Sequence, residues 1–146
     1  YKVTPKTTSS RALGVKPFST ATEEAFLTNL NHALENIWLS QSKYVVKKEV
    51  GIAHVFRNNE SYNGLFYNGR FDFVVYERVG GMELPVLAIE LDGKEHFDDM
   101  RVKERDRKKN EICKEHNLQL IRVENSYARR YNYIKDILIS YFSVRH

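Results

Sequence analysis

In the stretch TATEEAFLTNLNHALENIWL, Phe26, Leu27, Leu30, Ala33, Leu34, Ile37 and Trp38 recur at helical spacing, which predicts a first helix from about residue 20. Thr20 is its candidate N-cap, and Glu23, three residues on, completes a capping box. KYVVKKEVGI is β-branched and partly alternating, as a strand should be. AHVFRNNESYNGLFYNGR is an Asn- and Gly-rich connection with room for a short irregular strand. In FDFVVYERVGGMELPVLAIELDGKEH two apolar runs, 71–76 and 85–92, are joined around VGGMEL with its Gly80-Gly81 pair and predict a hairpin. HFDDMRVKERDRKKNEICKEHN reads as a highly charged helix and LQLIRVE as a short buried strand. In the last segment Ile134, Ile137, Leu138, Tyr141 and Phe142 fall at i, i+3, i+4, i+7 and i+8, an amphipathic helix.

The order α-β-β-β-α-β-α predicts an α/β domain over residues 20–146, with a central mixed sheet of about four strands flanked by helices. The hairpin pairs antiparallel, while the charged helix is a crossover that favours parallel placement of the last strand. Residues 1–19 are rich in Thr, Ser, Lys and Pro without apolar period, the pattern of a flexible arm or linker.

Composition narrows the function classes. With 146 residues, 42% of them hydrophobic, the chain suits one domain with a real core. A formal charge of +4 permits nucleic-acid binding without requiring it. A single cysteine, Cys113, leaves neither a disulfide framework nor a zinc constellation, and predicts a reducing, cytoplasmic setting. No apolar stretch approaches the roughly 18 residues of a spanning helix, so no membrane partner is expected. The chain opens on Tyr1 rather than Met, as a domain of a longer protein would. Neither a phosphate-binding glycine loop nor a nucleophile elbow is present, so nucleotide-hydrolase and serine-hydrolase readings have no support.

Acidic residues inside the hairpin carry the chemistry. Strict alternation puts Phe71, Phe73 and Val75 on one face and Asp72, Val74 and Tyr76 on the other. In the second strand Leu87, Ile89 and Leu91 oppose Val86, Ala88, Glu90 and Asp92. A hairpin centred near Gly81 sets Asp72 directly across from Glu90, with Cβ atoms about 5 Å apart. Opposed like charges destabilise a sheet, and a buried carboxylate without a partner costs several kcal/mol. A hard divalent ion such as Mg²⁺ held by converging carboxylates resolves the conflict. The alternative is rim ion pairs, Asp72 with Arg70 or Arg78 and Glu90 with Lys94. Glu23 points to the centre of the first helix's apolar face, where it serves either the capping box or the same metal site. On the charged helix Val102, Asp106, Lys109, Cys113 and His116 share a stripe with Ile112 at its edge, so Asp106 and Lys109 face the protein.

Asp72 in FDFVV, Glu90 in AIELDGKEH, and RVKERDRKKNEICKEHNLQLIRVE together resemble the PD-(D/E)XK nuclease superfamily, which has the restriction-endonuclease-like fold. The resemblance covers about residues 20–140 and is nearest to bacterial branches similar to very-short-patch repair endonucleases. It implies a restriction-endonuclease-like core and a Mg²⁺-dependent DNA endonuclease, with Mn²⁺ substituting, as the catalytic domain of a larger restriction, repair or defence protein. It assigns Asp72 and Glu90 as metal-binding acids and aligns Glu23 with the first-helix glutamate of many members. The chain departs from the pattern at Asp92, where the superfamily usually has lysine. Asp92 then joins the acids, and the lysine's role passes to Lys94, His96 or Lys109.

The expected chemistry is phosphodiester hydrolysis at a metal held by Asp72, Glu90, Asp92 and Glu23, with Arg101, Arg105 and Arg122 on the nucleic-acid backbone. DNA, a neighbouring domain and a second copy of the chain are the compatible partners. The competing readings are a catalytically inactive nucleic-acid-binding module of the same fold and a scaffold domain whose acids pair internally.

Overall fold

Helix α1 (Ala21–Ile37) leads into strand β1 (Tyr44–Gly51), a one-turn helix α2 (Ile52–Val55), the hairpin strands β2 (Arg70–Val79) and β3 (Met82–Asp92), helix α3 (Met100–Glu115), strand β4 (Gln119–Glu124) and helix α4 (Tyr131–Arg145). This computed structural model describes residues 21–37, 43–56, 69–93 and 100–145. The predicted arm, Thr20, Trp38, Lys94 and His96 lie outside the described residues. The sheet order is β1-β2-β3-β4, antiparallel across the first three strands and parallel between β3 and β4. The α/β architecture with a four-stranded mixed sheet flanked by helices therefore holds.

Each face of the sheet has its own apolar cluster. On one, Phe26, Leu30, Ala33 and Leu34 of α1 and Ile134, Leu138 and Phe142 of α4 pack on Phe73, Val75, Leu87, Ile89, Leu91 and Val123. On the other, Ile52, Val55 and Phe56 join Ile112, Cys113 and Leu118 over Val74, Tyr76 and Ala88. Complete burial of a residue such as Phe73 or Leu87 stabilises the fold by about 1.5–3 kcal/mol. The start of the polar connection is the helical turn α2, where an irregular strand was open, because Ile52 and Val55 are both buried under it.

Asn117 ends α3. It takes φ +56°, the Leu118 N–H donates to the Cys113 carbonyl at 2.9 Å, and the Asn117 N–H donates to the Lys114 carbonyl at 3.2 Å. This Schellman closure uses the residue type that best tolerates the left-handed region after glycine. It turns the chain directly into β4.

The hairpin contains a bulge that strict alternation does not anticipate. Val79 pairs with Met82 across the two-residue turn, and the ladder runs regularly to Tyr76 opposite Pro85. The next pair is Val75 with Leu87, so Val86 is an extra residue. Val86 therefore packs with Leu87 rather than with Ala88 and Glu90. The Tyr141 hydroxyl of α4 donates to the Val86 carbonyl and satisfies it. Phe71 also departs from alternation, joining Val74 and Tyr76 and meeting the Phe56 ring edge-on at 6.1 Å. It flanks the one place where the β1–β2 ladder skips a pair, opposite Glu49, whose φ is +53°.

Candidate functional site

The hairpin, α1 and α3 bring charge to one end of the sheet, where β1, β3 and β4 finish and β2 begins. Continuing the β1–β2 and β2–β3 registers by one residue aligns Glu49, Asp72 and Glu90, and Glu90 pairs with Arg122. Four charged residues thus form a row across four strands. The bulge makes this row possible, since an unbulged hairpin with the same turn would set Asp72 opposite Ile89. Among the described residues the buried charged side chains are Glu23, Asp72, Glu90 and Lys109, and all four belong to this end.

Direct opposition of Asp72 and Glu90 is accommodated by reciprocal hydrogen bonds. The Asp72 N–H donates to Glu90 Oε2 at 3.0 Å, and the Leu91 N–H donates to Asp72 Oδ2 at 2.8 Å. Carboxylates thus take the ladder's place beyond Phe73 and Ile89, and each is stabilised by a backbone dipole. Glu90 Oε1 accepts from Lys109 Nζ at 3.1 Å, in an ion pair with only 8% and 4% of the two side chains exposed. Lys109 also donates to the Arg70 carbonyl at 2.6 Å and lies 5.7 Å from the centre of the Phe71 ring. The stripe position of Lys109 thus delivers an ammonium to Glu90.

A second group forms around Asp72. Glu23 at the start of α1, Glu49 of β1 and Asp72 each offer a carboxylate oxygen, all within 4.8 Å of one another. Glu49 Oε1 faces Arg70 Nε at 3.2 Å, while its Oε2 is buried with no hydrogen-bond donor among the described residues. Burial first, then the charges of Glu23 and Asp72, push the Glu49 carboxyl up to about 7 against the opposing pull of Arg70. Three hard oxygen donors at this spacing suit a divalent cation such as Mg²⁺ or Mn²⁺.

Sequence reasoning named Asp72 and Glu90 as paired acids, left Glu23 open between a capping box and the same site, and named Lys109 beside Lys94 and His96; Asp72, Glu90, Glu23 and Lys109 all lie at this end of the sheet. Arg70 pairs with Glu49, Arg78 with Glu83 and Glu90 with Lys109, while Lys94 lies outside the described residues. Glu49 was missed. Its only sequence signal is an acid near the end of a β-branched strand, and only the β1–β2 register sets it beside Asp72. Asp92 lies apart from the three-carboxylate group and faces Arg122 Nη1 at 3.6 Å. Arg122 also contacts α3 through Asp106 and Asn110. Arg101 is exposed and Arg105 half-exposed on α3. Cys113, behind the Lys109–Glu90 pair, is buried, and desolvation with the nearby Glu90 charge pushes its thiol up to about 12.

Residues 15–140 match the family model described as a protein of unknown function, DUF2726. The chain belongs to the DUF2726 family. No curated protein and no solved structure matches it. The matched span contains every site residue described above, from Glu23 to Arg122, so the buried charge cluster of this DUF2726 domain lies wholly within its family region.

Proposed function

We propose that this DUF2726 domain is a metal-dependent nuclease of the PD-(D/E)XK type, with a restriction-endonuclease-like core, hydrolysing phosphodiester bonds in DNA. The observation that carries the reading is the set of four buried charged side chains, Glu23, Asp72, Glu90 and Lys109, gathered at one end of the sheet. A fold selected for stability alone has little reason to collect three buried carboxylates around one ammonium. The donor set fits a hard divalent ion: Glu23, Glu49 and Asp72 would hold it, with Glu90 adjacent, and Glu49 Oε2 is a buried oxygen in need of a cation. A bound Mg²⁺ would polarise a phosphoryl oxygen and lower the pKa of a water.

The chain's own residues supply the rest. Lys109 is the cation that the described residues bring to Glu90, and it answers the absence of lysine at Asp92. From that position its ammonium can orient the attacking water or stabilise charge on the phosphorane-like transition state. The Glu90 carboxylate is held by the Asp72 N–H and the Asp72 carboxylate by the Leu91 N–H, which limits their reorganisation on binding a cation. Arg101 and Arg105 of α3 are the candidates for phosphate contacts. By the same reading the domain is the catalytic part of a longer protein.

The test is cleavage of supercoiled, linear and single-stranded DNA and of RNA with Mn²⁺ or Mg²⁺, beside Asp72→Ala and Glu90→Ala. DNA cleavage that stops with EDTA and in both variants is expected, and activity surviving Glu90→Ala would sink the assignment. One observation favours a second reading: Lys109 already donates to Glu90 and to the Arg70 carbonyl, as in an internal ion pair. A binding-only module would retain DNA with a steep salt dependence and never cut it.

A further inference from the structure

Arg122 stands at a junction of three elements. It leaves β4 beside Glu90, its partner in the parallel register. Its Nη1 lies 3.3 Å from Asp106 Oδ1 on α3 and 3.6 Å from Asp92 Oδ1 at the end of β3. Its Nη2 donates to the Asp106 carbonyl and to Asn110 Oδ1, each at 3.2 Å. Asp106 and Asn110 are one helical turn apart, and Lys109 sits between them. A planar guanidinium that grips both ends of a turn fixes the helix's rotation as well as its distance from the sheet. The side chain is 23% exposed, so it is turned largely inward.

We propose that Arg122 is a positioning residue: by joining β3 and β4 to the Asp106–Asn110 turn of α3, it sets the rotation that delivers Lys109 to Glu90. Asp92, where the resembling superfamily usually has lysine, faces this guanidinium at 3.6 Å, so the change at the strand and the seating of the helix form one arrangement. The lysine is carried by the helix, and the vacated strand position anchors the arginine that aims it. The geometric claim stands on these contacts, while its consequence for catalysis rests on the nuclease reading above.

The test uses the full chain with Arg122→Met, Arg122→Lys and Asn110→Ala. In the native protein the Lys109 ammonium, buried between Glu90 and the Arg70 carbonyl, should give a slowly exchanging ¹⁵N-ammonium NMR signal. Arg122→Met should abolish that signal while far-UV circular dichroism is unchanged, and Arg122→Lys should restore it only in part, because one ammonium replaces the two nitrogens that face Asp92 and the Asp106–Asn110 turn. Asn110→Ala should weaken it, and this milder variant decides the matter if Arg122→Met fails to fold. If the domain cleaves DNA, kcat should fall at least tenfold in Arg122→Met with KM within about twofold, the split expected when substrate contacts are intact. An unchanged Lys109 signal in the folded variants would overturn the inference whether or not the protein is a nuclease. Absence of cleavage in the native protein would overturn the nuclease reading and leave the NMR outcome to judge Arg122.

Discussion

Lys109 and Glu90 form a buried ion pair, and what each is worth depends on the other. Removing the ammonium leaves Glu90 buried and uncompensated, so Lys109→Met is expected to cost about 3–5 kcal/mol in urea unfolding. The double change Lys109→Met with Glu90→Leu should cost less than the single one, because no isolated charge remains; a double variant weaker than the single would refute the pairing. Glu49 behaves oppositely. Folding raises its carboxyl from 4.5 to about 7, so across that interval the folded chain binds more protons than the unfolded one. Stability from this group is greatest at low pH and falls as pH rises through the window. Without divalent ions, Glu49→Gln should therefore raise Tm relative to the native protein at about pH 8 and change it little at about pH 4. A Tm difference of equal size at both values would contradict the shift.

At the scale of elements, the hairpin is what turns a sequence pattern into a site. Gly80 and Gly81 take φ +56° and +83°, the two positive values of a type I′ turn, and a Cβ on either would meet nothing within 4 Å. Substitution is thus opposed by backbone conformation alone, and Gly80→Ala should cost about 1–2 kcal/mol in chemical denaturation. The turn sets one register and the Val86 bulge shifts it by one residue, so both are needed to bring Asp72 opposite Glu90. The α3 helix contributes in the same way. Its stripe of Val102, Lys109, Ile112 and Cys113 is buried as the helical period requires, and Lys109 follows those apolar neighbours into the interior.

For the molecule as a whole, two layers of helix enclose the sheet, and the charge cluster lies where α1 and α3 approach the same sheet end from different segments of the chain. Among the described residues, Glu23, Glu49 and Asp72 set carboxylate oxygens within 4.8 Å of one another there in the native state. Preferential binding of a divalent ion to that state must raise its stability by linkage, by about 2.7 kcal/mol at a hundredfold excess over Kd. Mn²⁺ or Mg²⁺ should therefore increase Tm in the native protein and not in Asp72→Asn. No shift in either would mean that the acids pair internally and hold no metal. Among the described residues no helix is long and apolar enough to cross a membrane.

Local pattern alone determined the order of the main helices and strands, the hairpin at Gly80 and Gly81, the apolar faces of α1, α3 and α4, and four buried charges. Helical and strand periods report directly which side of an element is buried, and a charged residue in a buried stripe is visible without coordinates. Tertiary structure decided the rest. Glu49 enters only through the pairing of β1 with β2, the bulge at Val86 only through packing of the hairpin against α4, and the engagement of Arg122 with Asp92, Asp106 and Asn110 only through the docking of α3. These are contacts between segments distant in sequence, and no local period encodes the register or rotation that brings them together. Lys109 belongs to the same class: the helical period put it on the inward stripe of α3, and only the docking of that helix brought it to Glu90.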